Sequence, residues 1–157
     1  MKGNKKIVNA LNSLLADELS AILLYNCLGS CWRHDGLLRP AAEMDHEVLD
    51  ETGHAQALAA RIMQLEGVPM FAPSNTPPAT PSGPRERLQA VVDAETDAVT
   101  EYTAAVELAC KEGDPCTENL LRRHLDDEVG HLAAVERDVR LLEMLGVQNW
   151  LTEATRG

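Results

Sequence analysis

Asp50-Glu51-Thr52-Gly53-His54 and Asp127-Glu128-Val129-Gly130-His131 are one five-residue pattern, D-E-x-G-H, written twice at an offset of 77 residues. The same offset carries Glu18 onto Glu95 and Tyr25 onto Tyr102. A glutamate and a histidine three residues apart lie on one face of a helix, so both side chains reach the same point in space. Two such pairs and two single glutamates, drawn equally from the halves of a doubled chain, are the donor set of a dinuclear metal site inside a four-helix bundle. The repeat therefore predicts an all-α fold.

Outward from the repeat, helical periodicity divides the chain. Residues 4–33 carry Ile7, Leu11, Leu14, Ile22, Tyr25 and Leu28 as one apolar stripe with Glu18 inside it. A second helix over 40–66 starts at Pro40, a residue suited to the first turn, and its stripe is Met44, Val48, Ala55, Leu58, Ile62 and Leu65 beside Glu51 and His54. A third, 85–112, places Leu88, Val92, Val99, Tyr102 and Val106 around Glu95, and Gly113 ends it. Asp114-Pro115 then supplies an N-cap and a first-turn proline for a fourth helix, 115–145, in which Leu121, Leu125, Leu132, Val135, Val139 and Leu142 flank Glu128. Gly146 stops it, and the amphipathic tail 147–154 forms a short fifth helix packed on the bundle end or on a neighbouring subunit.

Between the second and third helices, residues 67–84 hold six of the eight prolines and no helical period. These 18 residues, largely extended by proline, reach on the order of 50 Å, against about 39 Å for the preceding helix. The linker can thus return along the whole bundle, so that the third helix starts at the end where the second one started. One hairpin, a long crossover and a second hairpin give two halves related by a pseudo-twofold axis across the helices.

Composition agrees with one domain over 1–157. Apolar residues make up 45% and charged residues 25% of the chain, a soluble globular balance that opposes both disorder and membrane spanning. Aromatics are only 3%, so Leu, Ile, Val and Ala must build the core, which favours helix-on-helix packing. A net charge of -11 without a basic stripe opposes nucleic acid and favours cations. The N-terminal lysines are followed by an apolar stretch that Asp17 and Glu18 interrupt, with no small-residue cleavage site after it, so a cytoplasmic protein is expected. Cys27, Cys31, Cys110 and Cys116 fit neither a disulfide scaffold nor a zinc finger and are expected to be small, buried, reduced thiols, the two pairs at opposite ends of the bundle. A redox or metal role for Cys27 and Cys31, one turn apart, is the lesser alternative.

Four uncompensated carboxylates among apolar residues are costly, so they call for cations. Glu51 and Glu128 are assigned as bridging ligands, His54 and His131 as terminal nitrogen donors, and Glu18 and Glu95 as terminal carboxylates. Four carboxylates balance two divalent ions. Mixed oxygen and imidazole donors with open positions suit iron, or manganese, better than zinc. Asp50 and Asp127, next to the bridging ligands, are placed to accept the ring N–H of the histidine on the other motif. Tyr25 and Tyr102, two turns past Glu18 and Glu95, serve either as packing or in the second layer of the site, and His124 is expected to be structural or partly exposed.

With these residues in view, the chain resembles the bacterioferritins from about Leu11 to its C-terminus, including L-E-G-V-P at 65–69 and L-G-V-Q-N-W at 145–150. The resemblance implies a ferritin-like bundle whose Glu18, Glu51, His54, Glu95, Glu128 and His131 form a ferroxidase centre oxidising Fe(II) with dioxygen or hydrogen peroxide. It also implies a homo-oligomeric hollow shell of 24 subunits that stores ferric mineral. His46 and Asp50 match positions that hold an inner-surface iron in some members. Members that bind haem b between paired subunits use a methionine directly after the first motif glutamate. This chain has Thr52 there, a poor axial ligand, so no haem site is expected unless another residue or a haem-binding partner subunit in a mixed shell supplies the ligand.

Other readings share parts of the pattern. A rubrerythrin-type di-iron peroxidase or oxidase calls for a further carboxylate one turn beyond Glu95, where Ala98 stands, and commonly for a CxxC segment. A DNA-protecting mini-ferritin places its ligands between subunits, at odds with six donors in one chain and the acidic balance. A metal-free helical module would have to satisfy six buried polar groups with protein or water.

Overall fold

The computed structural model of the chain describes residues 3–76 and 82–156. Helix α1 spans Lys5–His34, α2 Leu38–Gln64, α3 Pro84–Lys111, α4 Pro115–Leu145 and α5 Val147–Ala154, with no strand among the described residues.

Local chemistry sets the helix ends. The Asn4 side chain accepts from the Lys6 amide at 2.9 Å and caps α1. Both hairpin turns use a glycine with positive φ, Gly36 at 77° and Gly113 at 73°, a conformation that costs glycine nothing. Asp114 caps α4 through Thr117, and Pro115 follows it. Helix α2 begins at Leu38, two residues before Pro40, because a proline within the first turn removes an amide that has no helical acceptor anyway. It ends at Gln64, and Glu66, at φ 57°, turns the chain away.

Two apolar clusters occupy opposite ends of the bundle. One joins Ile7, Leu11, Leu58, Ile62, Ala109 and Leu121, from the start of α1, the ends of α2 and α3 and the start of α4. The other joins Leu28, Trp32, Ala41, Leu88, Leu142 and Trp150, from the end of α1, the starts of α2 and α3, the end of α4, and α5. Helices α2 and α3 therefore run the same way, and the crossover returns along the bundle. Its first part lies on α1: Met70 N donates to Asn12 Oδ1 at 2.8 Å, Ser74 N to Ala16 O at 3.1 Å and Asn75 N to Ser20 Oγ at 3.0 Å. Residues 77–81 of the predicted linker lie outside the described residues.

Helix α5 closes one end by setting Trp150 against Trp32, ring centroids 5.9 Å apart and both rings buried. Helix α1 is by length and composition apolar enough to cross a membrane, yet it carries Glu18 and buries its inner face in this core. The cysteines depart from expectation. No disulfide joins any of the four, but Cys27 and Cys31 are half-buried and Cys110 and Cys116 exposed, since neighbours such as Ala109 and Thr117 take the inward positions.

Candidate metal centre

Each long helix delivers acid to the layer between the two apolar clusters: α1 brings Glu18, α2 Glu51 and His54, α3 Glu95, and α4 Glu128 and His131. The four carboxylates are each 5% exposed or less. Burying one ionised carboxylate costs several kcal/mol unless an opposite charge meets it, so the groups must be read together.

Their geometry divides into two poles. His54 Nδ1 lies 3.0 Å from Glu51 Oε2, 3.0 Å from Glu128 Oε1 and 3.6 Å from Glu18 Oε1. His131 Nδ1 lies 3.7 Å from Glu51 Oε1, 3.8 Å from Glu128 Oε2 and 3.9 Å from Glu95 Oε2. Glu51 and Glu128 thus each turn one oxygen to either imidazole, whereas Glu18 and Glu95 each face one pole. Buried Glu95 Oε2, Glu128 Oε1 and His131 Nδ1 have no hydrogen-bond partner of proper geometry. Buried polar atoms are nearly always satisfied, so oxygen and nitrogen lone pairs left converging are what a cation would complete.

A second layer holds these donors. Tyr25 on α1 donates to Glu95 Oε1 on α3 at 2.5 Å, and Tyr102 on α3 donates to Glu18 Oε1 on α1, a reciprocal exchange across the pseudo-twofold. His54 Nε2 is 3.3 Å from Asp127 Oδ2, and His131 Nε2 is 3.7 Å from Asp50 Oδ2. Each aspartate thus faces the outer nitrogen of the opposite motif's histidine, which leaves Nδ1 directed inward. Thr52 is tied to its own helix, its hydroxyl donating to Val48 O at 2.7 Å. His46 and Asp50 pair at 3.0 Å on the surface, outside the buried cluster.

Protons are strongly coupled to this cluster. Burial, and after it the neighbouring carboxylates, push Glu18 well above the usual range despite the opposing His54, and burial lifts Glu95 to about 8. Burial would raise Glu51 too, but the facing imidazoles of His131 and His54 pull it down to about 2. Burial opposes a charged imidazole, yet the close carboxylates of Glu128 and its neighbours raise both rings, His131 to about 11 and His54 further. Any metal entering here must displace protons, because both compete for the same lone pairs.

Two more groups join the cluster that the E-x-x-H pattern does not name. Glu47 Oε2 approaches His131 Nδ1 at 3.2 Å, and Glu47, Glu51, Glu95 and His131 form one ligand-capable group. His124, expected to be structural or partly exposed, is 6% exposed; its ring stacks on His54 at 4.2 Å, and Glu18, His54 and His124 form another such group. The reason is position: His124 sits one turn before Glu128 on the inward face of α4. The repeat does hold a signal for both, since the 77-residue offset carries Glu47 onto His124.

Two cavities reach the layer from different sides. One of about 390 Å³, between α1 and α3, is lined by Asp17, Asp97 and Glu101 and ends on Glu18, Glu51 and Glu128. The other, about 350 Å³, passes between α2 and α4 by Arg39, Arg137 and Asp138 to Glu47, Glu95 and His131.

Comparison with known proteins agrees with this architecture. Residues 8–145 match the Ferritin family's ferritin-like domain. The chain is 33% identical over 150 residues to a bacterioferritin of Rhodobacter capsulatus, covering 96% of this chain and 92% of the relative. It is 32% identical over 152 residues to a bacterial ferritin of Synechocystis sp., covering 96% and 97%. A bacterial ferritin of Pseudomonas aeruginosa is 29% identical over 152 residues, with 96% and 97% covered.

Proposed function

This chain belongs to the ferritin-like family, and from that premise we propose that it is a ferroxidase and iron-storage protein. Two ferrous ions are its substrate at the buried centre, and the ferric product is stored as mineral in a hollow shell of 24 like subunits in the cytoplasm. The observation that carries this reading is the division of Glu51 and Glu128 between two imidazole poles, with Glu18 at one pole and Glu95 at the other. The donor chemistry fits: four carboxylates neutralise two divalent ions, and a mixed oxygen and imidazole set suits iron.

The acidic cavity between α1 and α3 attracts ferrous ions and leads them to Glu18, Glu51 and Glu128. Asp127 and Asp50 hold the two imidazoles with Nδ1 inward. Tyr25 and Tyr102 each fix one oxygen of a terminal glutamate, so the carboxylates are aimed before substrate arrives. Protons held by Glu18, Glu95 and the imidazoles leave as iron binds. Two ferrous ions lose one electron each; dioxygen with two protons takes both electrons and becomes hydrogen peroxide, or hydrogen peroxide with two protons takes them and becomes two molecules of water.

The test is aerobic addition of ferrous iron to the metal-free protein, following ferric absorbance and particle mass, with wild type and Glu128→Ala. Wild type is expected to oxidise iron and gain mass, and the variant to slow by roughly 100-fold, about 2.7 kcal/mol of barrier. Equal rates would refute the reading. Peroxide consumption without growth in mass would favour the rubrerythrin-type alternative.

A further inference from the structure

The two poles of the centre are equivalent in their six motif donors and unequal at one further position. Where the first half of the repeat has Glu47, the second has His124. Glu47 stands at the Glu95–His131 pole, its Oε2 3.2 Å from His131 Nδ1 and without a hydrogen-bond partner of proper geometry. His124 stands at the Glu18–His54 pole, stacked on His54 at 4.2 Å and 20°. Tyr102 binds both Glu18 and His124, the latter through Nδ1 at 3.2 Å, which fixes the His124 ring within the cluster.

We propose that His124 supplies a second imidazole to the Glu18–His54 pole, so that the two metal positions differ in kind: one rich in nitrogen, the other, through Glu47, rich in carboxylate. The ligand-capable atoms of Glu18, His54 and His124 all lie within 4.8 Å of one another, close enough for one ion to touch all three. The same spacing joins Glu47, Glu51, Glu95 and His131 at the other pole. Imidazole favours cobalt, nickel, copper and zinc, whereas carboxylate suits manganese and magnesium. The first cobalt ion therefore settles beside His54 and His124, and the second follows beside His131. This inference rests on the reading of the centre as a two-metal site.

The measurement is anaerobic titration of the whole, metal-free protein with Co2+, followed by its visible ligand-field absorption. Wild type is expected to take up two ions in separate steps, the first tighter by roughly tenfold or more. His124→Phe keeps a ring against His54 and removes the donor, so it is expected to weaken the first step to the level of the second. Retained separation in His124→Phe would mean that His124 only packs, and would overturn the proposal. Glu47→His supplies a second variant, expected to tighten the second step toward the first; no tightening would likewise count against the proposal. Two equal steps in wild type would overturn it while leaving the two-metal reading intact, whereas no Co2+ uptake at all would remove both.

Discussion

The first hairpin turns through Asp35-Gly36-Leu37 and the second through Glu112-Gly113-Asp114, and a shift of 77 residues superposes one on the other in sequence. The same shift carries the end of α1 at His34 onto the end of α3 at Lys111, and the start of α2 at Leu38 onto the start of α4 at Pro115. With the backbone plan shared, the differences lie in side chains. Asp114 caps its helix through Thr117 and accepts from Arg61 Nη2 with both carboxylate oxygens, at 2.9 and 3.0 Å, whereas Leu37 offers no side-chain cap and is buried instead. Trp32 in the first half corresponds to Ala109 in the second. The end that holds Trp32 is the end that α5 covers with Trp150. Duplication fixes where backbone and donors go, and each end then acquires its own packing.

That comparison breaks most visibly in the cores. Trp32→Ala removes a ring 1% exposed, packed under Trp150 and beneath the Arg87 guanidinium at 4.6 Å, and is expected to cost about 3–5 kcal/mol in denaturant unfolding. Ala109→Gly, at the equivalent place, is expected to cost only about 1 kcal/mol. Equal losses would mean that the two ends are packed alike.

A smaller effect separates the histidine anchors. Asp127→Ala is expected to loosen metal binding by roughly 10-fold or more in a calorimetric titration, because Asp127 orients His54 from 3.3 Å. Asp50→Ala is expected to do less, since Asp50 reaches His131 only at 3.7 Å. The reverse order would show that distance to the ring is not what sets anchoring.

The smallest predicted effect is on pH dependence, and it sharpens the distinction between protons and metal at the two poles. Glu95 has its folded value raised to about 8 from 4.5, so its contribution to folding is full below 4.5 and is lost as pH rises through 8. His131, raised to about 11 from 6.5, has the same sign: its contribution is full below 6.5 and declines as pH climbs toward 11. Metal-free protein is therefore expected to melt roughly 3 °C or more lower at pH 8 than at pH 5, and Glu95→Gln to show a smaller drop. Melting that rises over this interval would contradict the sign.

Much of the centre was legible because it is periodic. A helix returns a side chain to the same face after three or four residues, so D-E-x-G-H with its partner glutamates announces convergence before any coordinates are known. The cysteines show where periodicity fails: nothing in their spacing told that Ala109 and Thr117, rather than Cys110 and Cys116, would face inward. Glu47 and His124 were hidden for a related reason. One is acid and the other imidazole, so a search for matching residues passes over the one position at which the halves of the site differ.

The amino-acid sequence by itself determined four long helices, the doubled plan, the crossover and the choice of six candidate donors, because apolar period, caps and motif spacing are local properties of the chain. Only the tertiary structure decided which carboxylate oxygen faces which imidazole, that Tyr25 and Tyr102 exchange partners across the axis, and that His124 stacks on His54. Those contacts join residues on different helices, and their geometry depends on helix rotation and separation, which are set by the packing of the whole bundle.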